Sequence, residues 1–291
     1  MSQYGEMIAA LRSSPYLNFP KHVHIETAAI CNAKCWFCPQ DELPRHGTTM
    51  PDALVEKIIN DLTDIPRNVQ FQLSPFKVNE PFLDNRIIDI IATCNEKLPN
   101  AAITVITNSS PLTERKFKQF LALKNIRYLS VSLNECTRER YEEVMKISFG
   151  RTLERLRMIH RAKENGQLAA PVIISRVGRG EQEGEVFRRW VLTEFPLFQV
   201  EVYAPAEWLG QVGIPPPATV PNEGCSRWFE LSITATGAVA HCCMDGLPTY
   251  PIGDVKTQHV LQVYNAPAYR KLRESTLSRI GVTPCGQCSF G

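Results

Sequence analysis

The chain has 291 residues, with 32 Lys and Arg against 30 Asp and Glu, a formal net charge of +2. That length buries a full core as one large domain or a larger domain with a small appendage, and the near-zero charge provides no basic field for nucleic acid or a membrane surface. No run of about 18 apolar residues offers a membrane span, and the N-terminal stretch around Glu6 lacks a signal-peptide core, so a cytoplasmic protein is expected.

Along the chain, six runs rich in β-branched and aromatic residues predict strands at 22–27, 69–76, 103–108, 128–133, 171–177 and 199–205. Between the first two, Val55, Ile58, Ile59 and Leu62 share one helical face behind Pro51, which suits a first helical turn. Helices are predicted again at 83–96, 112–123, 138–145 with 153–164, and 183–194. This βα alternation implies a parallel sheet with right-handed crossovers, either doubly wound or part of a barrel, and periodicity does not choose between them. Residues 210–224 contain Pro215, Pro216, Pro217 and Pro221 and read as a linker, with a second, smaller unit starting near Pro221. The expected division is 1–209 and 210–291.

Ten cysteines in a reducing compartment suggest metal ligation rather than disulfides. Cys31, Cys35 and Cys38 fall within eight residues directly after the first predicted strand. Three thiolates on a [4Fe–4S] cube leave one iron open for chemistry. The alternative is a closed zinc site with His22 or His24 as fourth ligand, which would make the chain a zinc-stabilised binding module.

The spacing of Cys31, Cys35 and Cys38, with the aromatic Phe37 before the last, resembles the motif of the radical S-adenosylmethionine (SAM) superfamily. The resemblance implies a partial (β/α)6 TIM-type barrel, SAM chelated to the open iron, and reductive cleavage to a 5′-deoxyadenosyl radical that abstracts a substrate hydrogen. It also implies an electron donor such as flavodoxin or ferredoxin. Asn79-Glu80-Pro81 looks like the family's Gly-Glu-Pro motif at the SAM amino group, with Asn79 in place of glycine. Asn108 resembles the Thr-Asn-Gly region, Ser132 and Asn134 the Ser-Leu-Asp-Gly region toward the ribose, and Ser175 and Arg176 further ribose or carboxylate contacts. All fall at carboxyl ends of predicted strands, where parallel α/β folds bind ligands.

Beyond the linker, Cys225, Cys242, Cys285 and Cys288 provide four more thiols, with a hairpin predicted to turn at Gly237. On spacing alone, zinc and iron–sulfur compete equally here. The order around Cys242, with Ile252-Gly253-Asp254-Val255 and Val263-Tyr264-Asn265, resembles the SPASM or Twitch extension, which implies an auxiliary [4Fe–4S] cluster on those four cysteines. Cys243 competes with Cys242, because adjacent strand residues face opposite ways and only one meets the centre. Cys94 and Cys136 read as small buried hydrophobes, and His241 and Asp245 as neighbours of the auxiliary site. A fully ligated second cluster favours outer-sphere electron acceptance, hence dehydrogenation of a small polar metabolite, as in an aminocyclitol dehydrogenase among Twitch relatives. Carbon–carbon or carbon–sulfur bond formation in a peptide is the alternative, and Glu207, Arg227 and Trp228 are candidate pocket residues.

Overall fold

The computed structural model describes residues 2–178, 180–216, 218–288 and 290, so Pro217 of the expected linker lies outside the described residues. Helix α1 (Gln3–Arg12) precedes five strand–helix units and a sixth strand. These comprise β1 (His22–Ile25), α2 (Asp52–Leu62), β2 (Phe71–Ser74), α3 (Ile87–Lys97), β3 (Ala101–Thr107), α4 (Glu114–Phe120) and β4 (Ile126–Ser132). They continue through α5 (Arg138–Met145), α6 (Phe149–Glu164), β5 (Val172–Val177), α7 (Glu181–Glu194) and β6 (Gln199–Tyr203). A closing segment holds β7 (Glu230–Ile233), β8 (Ala238–Ala240), β9 (Pro251–Asp254), α8 (Val260–Tyr264) and α9 (Pro267–Glu274).

Strands β1 to β6 lie side by side in chain order and all run parallel. With right-handed crossovers, an order that never reverses puts every helix on the same face, whereas a doubly wound sheet reverses at a switch point. Strand periodicity obeys this arrangement. Val23, Leu73, Val105, Val131 and Ile174 enter one core with Val55, Ile58 and Leu62 of α2. The alternate residues His22, Ser74, Thr104 and Ser175 face the other, concave side, where His22 Nε2 lies 2.7 Å from Ser74 Oγ and Ser74 Oγ 2.6 Å from Thr104 Oγ1. The result is the expected partial barrel with a polar lining.

β6 pairs only with β5, whereas the free edge of β1 is taken by β7 in parallel register, His22 opposite Glu230 and His24 opposite Ser232. β8 and β9 follow antiparallel. The barrel therefore stays open, and the closing segment continues its sheet into one of nine strands. The hairpin turns at Gly237, whose φ of +86° and position 2.8 Å from Lys256 Cγ for any added Cβ demand glycine. Helix α1, unassigned from sequence, packs Ile8 against Trp228, Phe229 and Cys285 of the closing segment.

Predicted strands overran their carboxyl ends. Residues 26–27 and 75–76 leave the ladder to form loops, and the helix expected from 83 starts at Ile87 because Pro81–Leu83 is a tight turn capped by Glu80.

Candidate cluster and cofactor sites

Just past β1, Glu26 holds Arg45 in a buried bidentate pair at 2.5 and 2.8 Å, which fastens the returning arm of the cysteine loop. Along this loop the Ala29 N–H donates to Thr48 O at 2.7 Å, the Lys34 N–H to Met145 O at 3.0 Å and the Cys38 N–H to Cys35 O at 3.0 Å. Cys31, Cys35 and Cys38 are free thiols, as are all the cysteines. Burial pushes Cys31 up to about 12 and Cys38 to about 11, and Cys35 higher still, with neighbouring thiols adding to the effect at Cys31 and Cys35. Three thiols whose ionisation burial penalises, two of them also opposed by a neighbouring thiol, suit a cationic iron centre, which would invert that logic and hold them as thiolates.

Glu80 is the anchored carboxylate beside them. Its N–H donates to Ile30 O at 2.9 Å, and its carboxylate accepts from Thr107 Oγ1 at 2.7 Å, the Asn108 N–H at 2.6 Å and the Phe82 N–H at 3.1 Å. Burial pushes its carboxyl up to about 7 against these hydrogen bonds. Asn108 Nδ2 donates to Asn32 Oδ1 at 2.9 Å and lies 4.0 Å from Cys31 Sγ, so Glu80, Asn108 and the cysteine loop form one network. Asn79 Nδ2 and Ser109 Oγ are buried without a hydrogen-bond partner, a cost that a polar ligand removes. Pro81 is buried in the turn behind Glu80.

On the other flank, Asn134 sits at φ +65°. Its Nδ2 lies 2.9 Å from Met145 Sδ, which in turn lies 3.3 Å from Cys35 Sγ. Arg176 donates to Asn134 O and pairs with Glu135 at 2.8 Å, and Ser175 O accepts from the Asn134 N–H at 3.1 Å. Ser132 stands in register with Ser175. Phe37 is half-buried, edge-on to Trp36, and its carbonyl accepts from Trp208 Nε1 at 2.9 Å. Met145 was invisible in the motif reading, since it comes from another element and carries no spacing signal.

In the closing segment, Cys225, Cys242, Cys285 and Cys288 line one small cavity, and Cys243 does not. Arg227 and Arg279 line it too, and Trp228 Nε1 and His241 Nε2 lie 3.3 and 3.2 Å from Cys285 Sγ. Lys77 reaches across from the loop after β2, its Nζ donating to Asp245 O at 2.7 Å. Asp245 spends its carboxylate on the Thr249 and Tyr250 N–H groups at 2.8 and 2.9 Å. Four thiols with surrounding N–H and guanidinium donors suit a cluster of net negative charge.

His22 and His24 face the barrel interior, His22 Nε2 at 2.7 Å from Ser74 Oγ and His24 Nε2 at 3.4 Å from Glu230 Oε2. Trp228 is 0% exposed, packs against Ile8 of α1 and lines the auxiliary cavity. Glu207 is buried and stands close enough to Cys288 to raise its thiol. Cys94 is fully buried in α3 and Cys136 half-buried after β4.

A sequence model of the Radical SAM superfamily matches residues 25–186, and one of an iron–sulfur cluster-binding domain, SPASM, matches residues 225–289. No curated protein matches. Among solved structures, BtrN in complex with AdoMet and 2-DOIA superposes with a TM-score of 0.60 at 16% identity over 93% of both chains. Streptococcus suis SuiB bound to the precursor peptide SuiA gives 0.69 at 15% identity over 92% of this chain and 70% of that one. The anSMEcpe protein with bound AdoMet and Cp18Cys peptide gives 0.61 at 12% identity, over 86% and 81%. At such identities the likeness is one of fold.

Proposed function

The chain belongs to the radical SAM superfamily, and from that premise we propose that it dehydrogenates a small polar metabolite, with Cys31, Cys35 and Cys38 holding the SAM-binding cluster. The cofactors of such a chain are SAM, that [4Fe–4S] cluster and an auxiliary [4Fe–4S] cluster. When bound, they supply a hydrogen-abstracting radical at the first site and a one-electron acceptor at the second. Glu80 offers its carboxylate to the SAM amino group, with Asn79 and Pro81 shaping the turn around it. Phe37, Asn108, Ser132, Asn134, Ser175 and Arg176 complete the cradle. Cys225, Cys242, Cys285 and Cys288 hold the auxiliary cluster; Cys242 is preferred over Cys243 because it alone lines the cavity. The working division is a barrel over 1–209 and an auxiliary unit over 210–291. Flavodoxin or ferredoxin is the proposed electron donor and the reducing cytoplasm the proposed setting. No helix among the described residues is long and apolar enough to cross a membrane.

The observation that carries the oxidative reading is the enclosure of four thiols by Arg227, Arg279 and the Trp228 N–H. Four protein ligands leave no iron for substrate, and positive charge with N–H···S contacts favours the reduced cluster, which makes it an electron acceptor. BtrN's small-molecule ligand is consistent with this reading. Peptide modification is the second reading, favoured by the unpaired edge of β6, which a peptide strand would extend.

Anaerobically purified protein is expected to hold about eight iron and eight sulfide per chain. Replacing Cys31, Cys35 and Cys38 by Ala removes roughly half the iron and abolishes SAM cleavage. Cys225→Ala spares cleavage yet suppresses product. Incubation with metabolite extracts, read by mass spectrometry, is expected to give a product lighter by two hydrogens; one carrying a new carbon–carbon or carbon–sulfur bond sinks the dehydrogenase reading.

A further inference from the structure

On the concave floor of the barrel, His24 of β1 sits in register with Ser232 of β7, and its Nε2 lies 3.4 Å from Glu230 Oε2. The same carboxylate oxygen accepts from Arg227 at 3.1 Å, and Arg227 also lines the auxiliary cavity with Cys225, Cys242 and Cys285. One guanidinium thus stands in the wall between the auxiliary site and the barrel interior. A single hydrogen-bonded chain, Arg227 to Glu230 to His24, crosses from one to the other.

We propose that His24 takes the proton of the substrate radical as its electron leaves for the auxiliary cluster, the two transfers being coupled through Glu230 and Arg227. The inference rests on the dehydrogenase reading above. In balanced form, a carbon radical bearing a hydroxyl gives up the hydroxyl proton to the imidazole and one electron to the cluster, and a carbon–oxygen double bond forms. Arg227 holds Glu230 ionised, so Glu230 accepts from the His24 Nε2–H and leaves Nδ1 as the basic nitrogen. Burial lowers the His24 pKa, so the ring stands neutral and ready to accept. Ser232 Oγ beside it is buried without a partner, a vacant hydrogen-bonding position for a substrate hydroxyl.

The groups facing His24 are His22 beside it on β1, Lys77 after β2, and Glu230 and Arg227 at or just before β7, with Lys21 on Glu230 behind them. His22, His24 and Glu230 converge closely enough to bind a metal ion, their ligand atoms lying within 4.8 Å of one another. Arg227 and Lys21 already place two fixed cations on the single carboxylate, at 3.1 and 3.6 Å, which disfavours a divalent ion and favours the proton role.

The coupling is measurable without substrate. An added electron makes the cluster more negative and favours protonated His24, so the auxiliary cluster's midpoint potential falls as pH rises between the His24 pKa values of the oxidised and reduced states. Potentiometric titration of the holoenzyme across pH, followed by electron paramagnetic resonance, reads this. The Cys31, Cys35 and Cys38 triple variant supplies the reference spectrum of the auxiliary cluster. The expected result is a pH-dependent potential that becomes flat in His24→Gln, with full iron content retained, and persists in His22→Gln. A flat wild-type profile, a slope unchanged in His24→Gln, a slope lost in His22→Gln, or a bound divalent metal beyond the cluster iron each overturns the proposal. None of these results bears on whether a product two hydrogens lighter forms, so the dehydrogenase reading fails or stands on its own test.

Discussion

Glu80 is buried with three hydrogen bonds to its carboxylate, and burial prevails over these and over the Lys116 charge, raising its pKa to about 7. A carboxyl raised in the folded state stabilises the cofactor-free protein below the unfolded pKa, and that contribution is lost as pH climbs through about 7. In the proposed site the SAM amino group donates to the ionised form. SAM binding to the cluster-loaded protein is therefore expected to tighten from about pH 6 to about pH 8 and to release a proton near neutrality, which calorimetry in buffers of different ionisation enthalpy detects. Glu80→Gln is expected to weaken SAM by about 1.5–3 kcal/mol, roughly ten- to a hundredfold, the loss of a hydrogen bond to a charged group, while leaving the iron content unchanged. An unaltered affinity in that variant removes Glu80 from the SAM site. The glutamate was legible in the sequence because a Glu-Pro pair after a strand is a local pattern. The Thr107 hydroxyl and Asn108 amide that hold it belong to the next strand, and nothing in the spacing announces a contact across 27 residues.

The elements themselves were legible where their period was strong. Helix α5 matched its expected span, and the hairpin turned at Gly237 as expected from composition. Helix α1 was not legible: its ten residues bury only Ile8, too thin an apolar stripe to stand out before its partner surface is known. Both features carry predictions. Gly237→Val forces a β-branched side chain into φ +86° and against Lys256, and is expected to cost about 1–3 kcal/mol in chemical denaturation. Ile8→Asp puts a carboxylate into the cluster of Trp228, Phe229 and Cys285. The expected consequence is loss of auxiliary iron, about half the total, with SAM cleavage retained; loss of cleavage instead would mean that α1 also supports the barrel.

At the scale of the molecule, periodicity left barrel and doubly wound sheet open, because both share the βα alternation. The decision lies in strand order, which is a property of pairing and not of any one segment. Pairing also joins what composition separates: the proline-rich stretch suggested two units, yet β7 lies in register on β1 and one sheet runs through both. The interior relay through His24 was illegible for the same reason, since residues 24 and 230 meet only because that edge pairs.

The pairing of β1 with β7 also orders events during synthesis. The loop of Cys31, Cys35 and Cys38 leaves the ribosome long before residues 230–233 arrive to cover the edge of its strand, a wait of about 10–40 s at typical elongation rates. Cys285 and Cys288 emerge later still, so the auxiliary cavity has all four of its thiols only once residue 288 has been made. Delivery of iron and sulfide to the second site therefore follows the synthesis of residue 288, while the first loop waits beside an uncovered strand edge.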